Sequence, residues 1–451
     1  MSSYRGLPDP LAIAPLGFAL DAEVVVPGSK SITNRALLIA AAANGPTRLT
    51  GVLASDDTEA MLNVLRATSV AVEHDPTRAT AVVHGTGSAP NVDDRGDVSE
   101  VVVDVRQSGT TARFAVPYLA AGHGAFLIDA HEQMRARPMD DLFAALGQLG
   151  VRFEALGRAG RLPARVHASG LAGGVVRVPG NVSSQFLSGL LLAAPLARSE
   201  MIIEVSGELV STPYVDLTLS VMRTFGATVI NESYARFVVA PTGYTSPGTF
   251  AIEPDASAAS YFFAAAVATG GRVRVPGLGF GAEQGDVRFA DVLGELGATV
   301  VRSDHALEVI ANGPLRGGSV NMMDCSDTAP SLAAIAPLAS GPISVTGIGF
   351  IRRKETDRVA AVVTELHRLG IEATEDDDGF TIHPGRIRPA AVHTYDDHRM
   401  AMSFTILGLA VPGVSIAGPG CVAKTFPEFF EVVDGLRSPG ARRSDPPGAV
   451  T

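Results

Sequence analysis

The chain of 451 residues contains no tryptophan and two cysteines, and only 18% of its residues are charged. Each shortage removes a class of protein. Cys325 and Cys421 are too few for a disulfide framework, and neither belongs to a CxxC pair of the kind that holds zinc. The ten histidines are scattered and form no HExxH motif. Aromatic residues make up 6% of the chain, which argues against a surface on which nucleic-acid bases stack. Positive charge is in deficit: 36 basic against 47 acidic residues give a formal net charge of −11, whereas phosphate backbones are bound by basic faces. No nucleic-acid partner is therefore expected. An acidic protein can still gather its cations in one cleft, so small anionic ligands stay open. The longest apolar stretches, such as Ala36 to Ala43, fall far short of a membrane span. No basic segment followed by an apolar one marks a signal peptide. The expectation is a soluble, reduced, cytoplasmic protein with no membrane partner.

What is present is core-forming and heavily punctuated. Hydrophobic residues make up 46% of the chain, and 48 glycines with 29 prolines cut it into many short elements. The length suggests two or three domains. One unit recurs: a helix end, a glycine, then a short alternating strand. It runs through Gly150, Gly226, Gly297 and Gly370, and a weaker copy has Ser69 where the glycine belongs. A left-handed residue ends a helix and a strand of period two follows. A second unit is a polar loop that opens into a small-residue, apolar helix. It appears at Pro27 to Ser31, Gln107 to Thr111, Gly180 to Ser184, Asp255 to Ser257, Asp324 to Thr328 and Tyr395 to Arg399. Helices apolar on nearly every face belong inside, wrapped by sheet. Six such units suggest two domains of three repeats. The stretch after Ser438 reads as disordered. The acidic run Glu375 to Asp378 reads as a solvated hairpin tip rather than a metal site.

Four clusters could carry chemistry. Lys30 stands at a helix mouth with Ser29 or Ser31 available as cap and Arg35 a turn further on, which is the composition of an anion site. A capped helix with a surface lysine would read the same. Arg352 to Arg358 holds four cations and two carboxylates between a strand and a helix, equally a site or a solvated face. Tyr395 to Met400 places two acids, His398 and Arg399 at the head of an almost uncharged helix, where charges need a partner or a ligand. His398 reads as structural. Gly418 to Thr425 misses a P-loop because Ala423 replaces the glycine before Lys424. Several of these clusters put cations at helix starts, which predicts a cleft for a multiply charged anion.

At these motifs the chain resembles the 5-enolpyruvylshikimate-3-phosphate (EPSP) synthase family, from about Pro27 to Phe430. The markers are PGSKSITNRA from Pro27, Asp56-Asp57, SGTTAR from Ser108, ARP from Ala136, SSQF from Ser183, STPYVD from Ser211, KETDR from Lys354, DDHRMAM from Asp396 and AKTFP from Ala423. The resemblance implies an α/β fold of two similar domains, each of three βαβαββ-type repeats with interior helices surrounded by sheets, an inside-out α/β barrel closing on a central cleft. Domain I would hold 1–28 plus 253–438, domain II 29–252, and 439–451 a disordered tail. It implies a monomer without metal or organic cofactor. Its reaction moves the enolpyruvyl group of phosphoenolpyruvate to the 5-hydroxyl of shikimate 3-phosphate and releases phosphate, on the route to chorismate and the aromatic amino acids. By matched position, Lys30, Ser31, Arg35, Ser183, Ser184, Gln185, Ser211, Asp327 and Lys354 would bind shikimate 3-phosphate. Lys30, Gly109, Arg137, Gln185, Arg358, Arg399 and Lys424 would hold phosphoenolpyruvate. Asp327 would accept a proton, Glu355 would donate one, and Lys30 would join them in catalysis. The chain departs from the family pattern at Arg106-Gln107, Phe114 and Phe350.

A UDP-N-acetylglucosamine enolpyruvyl transferase is the nearest alternative. That family carries GAKNA where this chain has Gly28 to Ile32, and a reactive loop cysteine that neither Cys325 nor Cys421 matches. A P-loop nucleotide-binding protein is disfavoured by Ala423, and a non-catalytic scaffold by the presence of Lys30, Asp327 and Glu355 together.

Overall fold

The small-residue stretches behind the polar loops are helices, and they are buried almost entirely. The structure, a computed structural model, describes residues 6–92, 100–181 and 183–437. It divides into a unit of Gly28–Ile252 and a unit of Met1–Pro27 with Glu253–Thr451. The first contains the interior helices Lys30–Ala42, Gly109–Ala120 and Ser184–Ala193; the second contains Ala256–Thr269, Ala329–Ile335 and His398–Ala410. Every residue of Gly109–Ala120 is buried. A helix with no polar face must be enclosed, and sheets enclose these. Their starts are set by side-chain caps: Ser29, Ser108 and Ser183 accept from backbone N–H groups in one unit, Asp255 and Asp397 in the other. The stretch expected to be a disordered tail lies outside the described residues.

In three of the repeats the interior helix joins two parallel strands, and a second, amphipathic helix leads into a hairpin that pairs back on them. In one repeat the strand order is Val101–Asp104, His123–Asp129, Ala164–Ser169, Arg152–Ala155, with the first pair parallel and the rest antiparallel. The same order recurs in Gly174–Pro179, Met201–Ser206, Arg236–Val239, Val229–Glu232, and again in Gly318–Asn321, Ile343–Thr346, Phe380–Ile382, Ala373–Glu375. This is the βαβαββ repeat.

The remaining three repeats borrow a strand from elsewhere in their own unit. Ala43–Thr50 takes its parallel neighbours, Tyr244–Thr245 and Thr249–Ala251, from the far end of the unit. Arg272–Pro276 takes Asp21–Glu23 from the N-terminal segment of its unit. The last repeat pairs Ala390–His393 with Val414–Ala417 and then has no hairpin of its own; Leu11–Ala12 pairs antiparallel in its place. That is why the helix–glycine–strand unit occurs five times and the polar-loop unit six. Among the described residues, no helix is long and apolar enough to cross a membrane.

All five helix ends close alike. Gly150, Gly226, Gly297 and Gly370 have φ of 89°, 83°, 115° and 79°, and Ser69 has 64°. In each, the next residue donates its N–H to the carbonyl five positions earlier, as Val70 does to Leu65 at 2.9 Å and Val151 to Leu146 at 3.2 Å. Ser69 is exposed and carries the steric cost of a left-handed β-carbon, roughly 1–2 kcal/mol. Glycine would remove that cost at the expense of a more flexible unfolded chain. Ser69→Gly is therefore expected to stabilise the unit of Gly28–Ile252 by about 0.5–1 kcal/mol. A thermal midpoint equal to or below that of the parent would contradict this.

Candidate functional site

The sequence-derived candidates gather in two clusters, one in each unit, at the starts of the interior helices. In the unit of Gly28–Ile252, Lys30 opens its helix and its ammonium lies 3.4 Å from the carboxylate of buried Asp57. Asp57 is tied onward, since Thr111 donates its hydroxyl to the Asp57 carbonyl at 3.2 Å. Thr111 belongs to the first turn of the helix that Gly109 begins and Ser108 caps. Gly109 faces two guanidiniums. A β-carbon there would strike the Arg137 head group and come within 2.6 Å of Arg113 Nη1. Arg113 donates to Gln185 Oε1 at 2.8 Å, while Gln185 Nε2 donates to Thr110 at 3.3 Å. Ser183 caps the helix on which Ser184 and Gln185 stand.

Arg35 is buried and braces three helices. It donates to Thr218 Oγ1 at 2.8 Å, the Ser31 carbonyl at 2.8 Å, the Tyr214 carbonyl at 3.1 Å and Ser188 at 3.4 Å. Burial lowers its pKa to about 9. Phe114, one of the departures from the family pattern, supplies the ring 4.9 Å beneath this guanidinium. Ser211 precedes the helix of Tyr214 in a left-handed conformation, φ 57° and ψ 48°. Arg106 is also left-handed, with φ 49°, and approaches Asp56 at 3.7 Å. Gln107 bonds to His131 at 3.3 Å. Both line a cavity of about 560 Å³ with Asp56, Asp57, His131 and Arg135.

In the other unit the centre is Arg358, only 1% exposed. Its guanidinium donates to three carboxylates: Asp397 at 2.8 Å, Asp327 at 3.0 Å and Glu355 at 2.7 Å. Burial opposes the charge, but the three acids outweigh it and raise the pKa above the ordinary arginine value. Arg399 reaches Asp327 at 2.7 Å, Lys354 lies 3.8 Å from Asp327, and Lys424 lies 3.9 Å from Glu355. Asp397 also caps the helix that Arg399 enters, accepting from the Arg399 N–H at 2.9 Å. The near-miss P-loop is a 3₁₀ turn, Pro419–Lys424, that delivers Lys424 to this cluster. His398 is buried beside Asp397 at 3.6 Å. Phe350 packs against the core of the unit.

Four cations thus stand against four carboxylates, the fourth being Asp286. It accepts from the Ser257 hydroxyl, and Arg399 contacts the same hydroxyl at 3.4 Å. Burial, then the nearby charge of Asp327, raises the Asp286 pKa from 3.8 to about 6. Both thiols behave in the opposite way to reactive ones: Cys325 and Cys421 are each pushed up to about 12, first by burial.

The sequence reading did not single out four participants. Asp57 and Arg113 stand inside quoted motifs, next to or within them, without an assigned role. Asp397 was visible as an acid heading a buried helix. Asp286 carried no signal beyond a lone acid in Gln284-Gly-Asp-Val-Arg288.

The family model described as EPSP synthase (3-phosphoshikimate 1-carboxyvinyltransferase) matches residues 17–433. A 3-phosphoshikimate 1-carboxyvinyltransferase of Nostoc punctiforme is 43% identical over 424 residues, covering 94% of this chain and 98% of the relative. That of Trichormus variabilis is 42% identical with the same coverage. Among solved structures, an EPSP synthase from Acinetobacter baumannii matches with a TM-score of 0.76 at 26% identity, over 94% of this chain and 97% of that one. The enolpyruvyl transferase NikO from Streptomyces tendae shares the fold, with a TM-score of 0.72 at 19% identity over 95% and 98% of the two chains.

The raised pKa of Asp286 has a consequence for stability. The folded state favours its protonated form, so this stabilisation is complete below about pH 3.8 and is lost as pH rises through about 6. Above that, the buried charge costs roughly 3 kcal/mol. Asp286→Asn, which keeps an acceptor for Ser257, is expected to melt higher than the parent at pH 7 and to lose that advantage below pH 4. A variant less stable at pH 7 would show that Arg399 and Ser257 compensate the charge fully.

Proposed function

Because the chain belongs to the EPSP synthase family, we propose that its two clusters divide the work of one reaction. That reaction is the shikimate-pathway transfer of the enolpyruvyl group of phosphoenolpyruvate to the 5-hydroxyl of shikimate 3-phosphate. Lys30, Ser31, Arg35, Ser183, Ser184, Gln185 and Ser211 hold shikimate 3-phosphate, with Asp327 and Lys354 from the other cluster. Lys30, Gly109, Arg137, Gln185, Arg358, Arg399 and Lys424 hold phosphoenolpyruvate. Arg113 orients Gln185, and Arg35 also keeps the helices of Ser31, Ser188 and Tyr214 in register. These assignments follow the matched motifs and the contacts each residue makes.

The chemistry needs one base and one acid. The 5-hydroxyl oxygen attacks C2 of phosphoenolpyruvate and loses its proton to Asp327, while Glu355 protonates the C3 methylene. Elimination returns a proton from C3, breaks the bond to phosphate and restores the double bond. Arg358, Arg399 and Lys424 stabilise the departing phosphate. One observation carries this reading: Asp327 and Glu355 share the Arg358 guanidinium, at 3.0 and 2.7 Å, with Arg399 and Lys424 beside them. Acid, base and leaving-group cations are then one ion-paired assembly. The unreactive thiols give no support to the UDP-N-acetylglucosamine alternative. We read the working form as a cytoplasmic monomer, as the resemblance to the family implies.

Asp327→Asn and Glu355→Gln keep the side-chain shape and one acceptor oxygen but remove proton transfer, so each is expected to lower turnover 10²–10⁴-fold. Substrate affinities by calorimetry should fall far less than turnover. Phosphate release should require shikimate 3-phosphate and not occur with UDP-N-acetylglucosamine. Wild-type turnover in Asp327→Asn would overturn the base assignment.

A further inference from the structure

The acidic run Glu375 to Asp378 was expected to be a solvated hairpin tip. It is the exposed turn of a hairpin, between Ala373–Glu375 and Phe380–Ile382, and the carboxylates of Glu375, Asp376 and Asp378 are engaged as well. Asp376 turns inward on the hairpin itself and accepts from the N–H groups of Asp378 and Gly379, both at 2.8 Å. That shapes the tip and leaves two acids to reach across. Asp378 accepts from the Gly347 N–H at 2.8 Å and from the Gly349 N–H at 3.4 Å, and its carbonyl accepts from Ile348 at 2.9 Å. Glu375 pairs with Arg352 at 2.7 Å. The segment so gripped, 347–353, leads directly into Lys354 and Glu355.

Arg352 closes the grip. One end of its guanidinium meets Glu375 and the Asp376 carbonyl of the hairpin. The other donates to both Asp357 oxygens, at 3.1 and 3.0 Å, and Asp357 caps the helix Arg358–Arg368 through the Ala360 N–H at 3.0 Å. Lys354 and Glu355 are therefore spanned by a bridge from Arg352 to Asp357. Gly347 is left-handed, with φ 75°, and a β-carbon on Gly349 would strike the Asp377 carbonyl, so hairpin and loop are in direct backbone contact.

We infer that Glu375, Asp378 and Arg352 are positioning residues for the reaction, because they fix the loop that presents Lys354 and Glu355. This rests on the role proposed above for Glu355. Without the hairpin, the loop keeps its helix end and the buried side chains of Ile348 and Ile351 but loses its polar ties, and the Glu355 carboxyl is less firmly placed on Arg358. Proton transfer needs that placement to within a fraction of an ångström, whereas Arg399 and the body of the cation cluster are held by other elements.

The test compares Asp378→Ala, Asp378→Asn, Glu375→Gln and Glu355→Gln in the full chain. We expect Asp378→Ala and Glu375→Gln to lower kcat at least tenfold with the KM for phosphoenolpyruvate within threefold, and faster amide exchange confined to 347–357. Asp378→Asn should retain more of the wild-type kcat than Asp378→Ala, because its one amide oxygen still accepts from the Gly347 N–H, the shorter of the two bonds. If Asp378→Ala does not fold, Glu375→Gln, which leaves the backbone contacts intact, decides the matter. A kcat within twofold of wild type in the folded variants overturns the inference, as does faster loop exchange with unchanged kcat. Wild-type turnover in Glu355→Gln would instead locate the failure in the proton-donor assignment.

Discussion

A guanidinium that is 1% exposed has no water to lean on, and Arg358 is stable only because Asp327, Glu355 and Asp397 surround it. A buried charge left without partners costs several kcal/mol, and removing one member of such a set leaves the others uncompensated. The arrangement is reciprocal. The two carboxylates assigned to proton transfer are held in place by the same cation that would face the leaving phosphate, and Asp397 fixes Arg399 through its cap. Asp286 adds a fourth acid whose charge is only partly compensated, a stability cost located where function requires charge.

The fold makes this possible by aiming helices rather than by supplying loops. Each interior helix has no polar face to show to water, so its only polar surface is its first turn and the cap before it. Ser257, Asp327 and Arg399 come from the starts of, or the turn before, three such helices in one unit, and they meet. In the other unit Lys30, Gly109 and Gln185 do the same. Positive helix ends and cationic side chains reinforce each other for an anionic ligand. The repeats thus gather cationic side chains at helix starts in each unit by the same construction.

Much of this was legible in the sequence because it is local. A cap, an apolar run and a left-handed glycine lie within a few residues of each other, so the interior helices and their ends could be read directly, and even Ser69 keeps the conformation its glycine counterparts have. Strand borrowing was not legible. Asp21–Glu23 pairs with Arg272–Pro276 across some 250 residues, and nothing in either strand announces its partner. The acidic hairpin tip shows the same limit. Adjacent carboxylates with a glycine behind them suggest solvent, while the N–H groups that bind Asp378 lie about thirty residues earlier. Asp286 was missed for a related reason, since a single acid in an amphipathic stretch resembles a surface residue until its burial is known.

If one buried guanidinium organises both the carboxylates assigned to proton transfer and the cations assigned to phosphate, changing its shape must disturb both. Arg358→Lys tests it most directly, because lysine keeps a positive charge but offers one ammonium where three carboxylates were bridged by a planar fork. Titration of phosphoenolpyruvate into this variant in the presence of shikimate 3-phosphate, alongside its steady-state turnover, reads both roles at once. Affinity and kcat are expected to fall together, each by more than tenfold, in a variant that remains folded. Retention of both near wild-type values would show that charge alone suffices and that the shared guanidinium is not what the site depends on.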